Sequence, residues 1–186
     1  LLGKLANAGA ATVAFDVLFA EPDRTSPKRI IDQWQRFVSS KQKEKLSDLA
    51  SKLPDHDEVL ASRLNRLPTV LGVMFDNSGV IPKMAKPKWS YGKQGDDPRP
   101  FLPTYSGAIT ALGVLGAKTS GLGSINSSLD NDGIIRRVPL LLRLKANRSF
   151  SAEVFPSLSV EALRVAQRAS TYLLRSSGAS GDQSFG

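Results

Sequence analysis

The sequence predicts an α/β fold: a central mixed, mostly parallel sheet flanked by helices, with a long irregular Pro/Gly-rich insertion. Three observations carry that prediction. Residues 12–19 and 69–75 are β-branched and aromatic runs with apolar side chains on both faces, the pattern of strands covered by helices on each side. Between them lie stretches with helical spacing of apolar residues. Residues 77–103 instead hold Pro82, Pro87, Pro98, Pro100 and Pro103 with no periodic pattern, and read as a long loop.

The elements follow in chain order. Leu1, Leu2, Leu5 and Ala8 share one helical face, and Gly9 suits the C-terminal cap. Residues 12–19 form the first strand. Ser26 and Pro27 are a helix start, an N-cap followed by proline at the first helical position. Ile30, Ile31, Trp34, Phe37 and Val38 continue it; the pattern weakens over 39–45, resumes at Leu46, Leu49 and Leu53, and stops at Pro54. Asp55 with Glu58 resembles a capping box for the next helix, whose stripe is Val59, Leu60 and Leu64. Pro68 ends it, and 69–75 is the second strand, giving the order α-β-α-α-β. Farther on, 110–117 predicts a short helix, 121–126 a strand and 130–133 a turn. Residues 134–144 read as a long strand bent at Pro139, and 145–148 as a hairpin tip. Pro156 and Ser157 open a helix with Leu158, Ala162, Leu163 and Ala166 on one face, and 176–186 is a Ser/Gly tail.

Composition excludes several function classes. With 186 residues, 41% hydrophobic and 23% charged, the chain is neither disordered nor fibrous. It has no cysteine, which removes disulfides, thiolate metal sites and cysteine nucleophiles. His56 is the one histidine; beside Asp55, Asp57 and Glu58 in a first helical turn, it reads as a surface residue. No apolar run approaches the ~20 residues that cross a bilayer. The net charge is +8. Residues 1–80 are nearly neutral, whereas 134–175 carries eight basic residues against Glu153 and Glu161. That surplus reads as a solvated basic face rather than a nucleic-acid interface, because few aromatics accompany it.

Gly121 and Gly123 lack the third glycine of a dinucleotide fingerprint and do not open a helix. The segment Asp130, Asn131, Asp132, Gly133 looks like the end of a calcium loop, but Pro139 falls where the bidentate glutamate belongs. A turn in which Asp-Gly supplies positive φ is the simpler account. Two polar clusters remain. Asp16, Glu21, Asp23 and Arg24 stand at the C-terminal end of the first strand, where ligands bind in open α/β sheets. Asn126, Asp130, Asp132, Arg136 and Arg137 form the second. Either could hold a polar ligand or be an internal ion-pair network. An enzyme using Asp16, Glu21 and Asp23 as general acid and base is an alternative, as is a basic nucleic-acid-binding module. No catalytic residue, metal or cofactor is assigned.

At these clusters the sequence resembles the CHASE2 domain, the extracytoplasmic sensor module of bacterial membrane receptors. The matching stretches are residues 14–23 (Ala-Phe-Asp-Val-Leu-Phe-Ala-Glu-Pro-Asp), 95–98 (Gly-Asp-Asp-Pro), 102–105 (Leu-Pro-Thr-Tyr), Asn126 with 130–140, and 155–164, which begins Phe-Pro-Ser-Leu-Ser where the family usually has Tyr-Pro-Ser-Leu-Ala. They come in the family's order and cover most of residues 5–168. The family's acidic opening strand-and-turn has no counterpart before Leu1, so the sheet is expected to lack that strand. The resemblance implies a sensor domain over 1–175 and a linker over 176–186. It implies an inner-membrane receptor with this domain periplasmic or extracellular, and transmembrane helices on both sides. The output would be a class III adenylate or guanylate cyclase, with a histidine kinase or diguanylate cyclase as alternatives. It further implies a small-molecule or protein stimulus, a homodimer in the full receptor, and no nucleic-acid partner. The ligand would sit near Asp16, Glu21, Asp23 and the 77–103 loop.

Overall fold

The computed structural model describes residues 1–127, 130–145 and 154–176. It is a mixed α/β fold, about a third helix and a quarter strand, with mostly parallel strand pairs packed against helices. α1 (Leu2–Asn7) leads to β1 (Val13–Phe15); α2 (Pro27–Trp34), a 3-10 turn (Gln35–Phe37), α3 (Ser40–Lys52) and α4 (His56–Leu64) then precede β2 (Thr69–Asp76). After β2 come β3 (Ser90–Gln94), a 3-10 turn (Arg99–Phe101), β4 (Thr104–Tyr105), β5 (Gly107–Ile109), α5 (Gly113–Gly116) and β6 (Gly121–Ser124). The last described elements are β7 (Leu141–Leu144), β8 (Val154–Pro156), α6 (Leu158–Ala166) and β9 (Thr171–Arg175).

β2 is the axis of the main sheet. It pairs in parallel with β1 and with β6, and its last residues pair antiparallel with β5. Val70, Leu71, Val73 and Phe75 are all buried, as a central parallel strand requires. Two smaller sheets flank it: parallel β3–β9, and β4–β7–β8 with one parallel and one antiparallel pair. Among the described residues, strand pairing is therefore divided among three small sheets rather than gathered into one.

The core joins β2 to Leu64, Leu115, Leu122, Leu142, Leu144 and Phe155. Phe155 stands edge-on to Phe75 at 4.8 Å and to Trp89 at 4.9 Å between ring centroids. Trp89 comes from the stretch read as an aperiodic loop, and Ile81, Met84 and Ala85 from the same stretch also pack on the core. That stretch is thus built in: β3 pairs in register with β9, Tyr91 opposite Tyr172. Its sequence, Ser-Tyr-Gly-Lys-Gln, lacks apolar alternation, and its partner lies about eighty residues away.

Other expectations need correction. β1 is three residues long rather than eight, and Ala14 is exposed, because among the described residues β1 lies on the sheet's edge and pairs with β2 alone. The long strand over 134–144 shrinks to β7; Pro139 has no N–H to donate, and Ile134, Ile135, Val138 and Leu140 are each at least half exposed. α3 starts inside the weakened stretch, where Gln42 Oε1 accepts from the Ser39 N–H at 3.1 Å, one half of a capping box. At α4, Asp55 caps the Asp57 N–H instead of forming a box with Glu58. Gly9 (φ +82°) and Gly133 (φ +80°) adopt the left-handed conformation expected of a helix end and a turn. The expected hairpin tip and tail, apart from Lys145 and Ser176, lie outside the described residues.

Candidate functional site

The first sequence cluster divides in space. Asp16 follows β1, exposed, at the C-terminal rim of the parallel strands. β6 ends on the same rim, and α6 starts there, with Ser124 bridged to Ser157. Between them opens a groove of about 430 Å³, lined by Asp16, Asn126, Ser127, Val138, Ser157 and Ser159, with apolar walls from Ile125 and Leu158. Gly123 makes the closeness possible: a Cβ there would lie 2.5 Å from Leu158 Cα and 3.0 Å from the Ser157 carbonyl oxygen. The Gly121-Leu-Gly motif therefore serves helix-to-strand packing. Asp16 supplies the groove's carboxylate, Ser127, Ser157 and Ser159 its hydroxyls.

Asn126, also on this rim, is tied to the sheet. Its Oδ1 accepts from the Phe75 N–H at 2.8 Å, and its Nδ2 donates to the Phe75 carbonyl at 2.7 Å. The carboxamide thus continues strand pairing one step past the end of β6, and Ser124 Oγ adds a third bond to Oδ1 at 2.8 Å.

Asp23 sits elsewhere, at the junction of two helix starts. Its Oδ1 accepts from the Thr25 N–H at 2.9 Å, and its Oδ2 lies 2.6 Å from His56 Nδ1. The Asp23 N–H donates to Asp57 Oδ2 at 3.0 Å, and the His56 N–H donates to the buried Ser26 Oγ at 2.9 Å. The loop before α2 is thereby locked to the first turn of α4. Thr25's backbone and hydroxyl, and then His56, hold the Asp23 carboxyl below its usual range. His56, read as a plain surface residue, is half-exposed but pins this junction; thirty-three positions separate it from Asp23, and no local pattern signals the pair. Glu21 pairs with Arg24 at 2.5 Å on the open surface, facing a shallow cleft with Arg29, Asp32 and Arg36.

The second cluster is a latched turn. Arg136 holds Asp132 at 2.8 and 2.9 Å and Asp130 at 3.2 Å, while Arg137 reaches Asp130 at 3.5 Å. The Gly133 N–H donates to the Asp130 carbonyl at 2.8 Å. Arg136's bonds pull the Asp132 carboxyl below its usual range, and Asp132 and Asp130 raise the guanidinium in return. A lowered Asp132 carboxyl is the opposite of what a general acid near neutral pH needs.

A third constellation escaped the sequence. Glu161 is fully buried, and Arg164 is 7% exposed. Arg164 Nε and Nη2 donate to the Glu161 carboxylate at 2.8 and 2.6 Å, Nη1 donates to the Ala169 carbonyl at 2.6 Å, and the Tyr172 hydroxyl donates to Glu161 Oε2. Desolvation and the Glu161 carboxylate push the Tyr172 hydroxyl up; Glu161 raises the Arg164 guanidinium. The network ties α6 to β9, and Arg164 leaves the solvated face to which the charge count assigned it. The i,i+3 spacing of Glu161 and Arg164 was the available signal, but such pairs are usually exposed. Among the described residues, no group of three or more His, Cys, Asp or Glu could hold a metal ion, and no helix is long and apolar enough to cross a membrane.

Comparison with known proteins adds a family. The model of the CHASE2 domain matches residues 1–184. No curated protein and no solved structure matches the chain.

Proposed function

The chain belongs to the CHASE2 domain family of extracytoplasmic sensors, and on that premise we propose that it regulates a class III adenylate or guanylate cyclase across the inner membrane. The sensor module spans 1–175, with 176–186 leading on toward the output. Its stimulus is a small molecule or a protein, and the full receptor works as a homodimer. The family match over nearly the whole chain is the observation that carries this reading.

The groove beside Asp16 is the stimulus site in this proposal. It lies at the strand ends where open α/β sheets bind ligands, and it offers one carboxylate, several hydroxyls and apolar walls. A polar ligand there touches the start of α6, and α6 is joined through Glu161 and Tyr172 to β9, the last described element. A ligand that prefers one arrangement of α6 shifts the population of the output state by that preference.

The test is production of cyclic AMP and cyclic GMP by the full-length receptor in membranes, intact and with this domain deleted. Deletion is expected to change the rate. A receptor that makes neither nucleotide overturns the cyclase assignment. Thermal melting against a ligand library addresses the site: a ligand at one hundred times its Kd adds about 2.7 kcal/mol, and Asp16→Ala is expected to abolish that gain.

A further inference from the structure

The helical arm between β1 and α4 has an unusual tip. Trp34, at the end of α2, is 60% exposed, and Phe37, in the 3-10 turn, is 85% exposed. α2 and α3 pack on one another, α2 burying Ile31 and α3 burying Ala50. Leu49 and Leu53 of the same arm are also exposed. Folding therefore leaves two aromatic rings in water at one end of the arm.

Around them basic residues outnumber acids, four to two over residues 32–45, the acids being Asp32 and Glu44. Arg36, Lys41, Lys43 and Lys45 are exposed, and Glu44 is the single acid between positions 34 and 45. Among the described residues, none of these four cations has an ion-pair partner. Three of the acids that balance this run in a sequence count are engaged elsewhere, whereas Asp32, Glu44 and Glu58 stay exposed. Asp48 pairs with Lys52, Asp55 caps α4, and Asp57 accepts from the Asp23 N–H. The near-neutral first half of the chain thus has a local basic excess at this tip, while Asp23, Asp55 and Asp57 are committed at the junction of α2 and α4.

We propose that this tip docks on an anionic bilayer surface, with Trp34 and Phe37 at headgroup level and Arg36, Lys41, Lys43 and Lys45 against lipid phosphates. Amphipathic aromatic rings favour the membrane–water interface, and basic residues close to it are drawn to anionic lipid. A second copy of the same tip is a poor occupant, because it sets four cations against four. The inference rests on the patch alone and holds or fails independently of which output enzyme is attached.

Vesicle co-sedimentation tests it, using the whole chain with pure phosphatidylcholine and with a mixture of about one-third phosphatidylglycerol. Binding is expected to the mixed vesicles and to weaken as salt is raised. Each lysine near such a surface contributes about fivefold, so K41Q/K43Q/K45Q is expected to bind on the order of 100-fold more weakly. W34S/F37S is expected to lose binding while keeping its unfolding midpoint. In the unaltered chain, brominated lipid is expected to quench Trp34 and spare Trp89, which packs on Phe155. Absent binding, equal binding to both vesicles, or no quenching overturns the proposal. So does a concentration-dependent dimer that W34S/F37S abolishes without any vesicle binding.

Discussion

Arg164 grips Glu161 through Nε and Nη2 inside the core, at 2.8 and 2.6 Å, with the Tyr172 hydroxyl completing the carboxylate's shell. Removing one member leaves the other's charge buried without a partner, which typically costs about 3–5 kcal/mol. Glu161→Gln is expected to lower stability by that order in urea unfolding. Replacing both with apolar residues of similar volume, as in E161L/R164M, is expected to cost far less. A Glu161→Gln loss as small as a surface substitution's would remove the network from any structural role.

Asn126 stands in for a peptide unit on Phe75. Asn126→Ala forfeits both bonds and leaves the Phe75 N–H and carbonyl unpaired at a partly buried site. Each such orphaned group costs about 1–3 kcal/mol. Chemical denaturation is the measurement, and a variant within experimental error of the parent contradicts this assignment.

Asp97 governs one acid-sensitive part of the fold. The Arg99 guanidinium and backbone N–H hold its carboxyl at about 2, below the ordinary 3.8. A depressed carboxyl contributes stability that is complete above its unfolded pKa and is lost as pH falls through its folded one. The contribution is therefore full above pH ~4 and disappears between about 4 and 2. Melting temperatures over that window should fall less steeply in Asp97→Asn than in the parent; parallel curves would show that the ion pair contributes nothing.

Gly123→Ala tests the floor of the groove. Its Cβ would sit 2.5 Å from Leu158 Cα, a backbone atom that cannot rotate away. Overpacking of this kind costs about 1–3 kcal/mol. Asp16→Ala, at an exposed position of the same groove, should change stability by under about 0.5 kcal/mol. If Gly123→Ala unfolds at the parent's denaturant concentration, α6 does not press on β6 as described.

Much of the fold was legible because the relevant signals are local. Periodicity and caps place α1, α4, α6 and β2 near their observed bounds, and the Asp-Gly turn lands on Gly133. β3, β8 and β9 were missed since short strands depend on partners distant in sequence. The candidate residues were legible one by one but not as constellations: proximity along the chain placed Asp16 with Asp23, and the fold parts them.

From the sequence by itself come the fold class, the resemblance to CHASE2 and the list of polar residues worth placing, because these depend on residue type and spacing. Tertiary structure alone decided which of them meet. It sent Asp16 to the groove beside Ser157, Asp23 to His56, and Arg136 back onto its own turn. It also drew Glu161 and Arg164 out of water and left Lys41, Lys43 and Lys45 in it. The physical reason is that charge pairing and desolvation act over a few ångströms of space, and the chain brings residues from distant elements within that range only when its strands and helices pack.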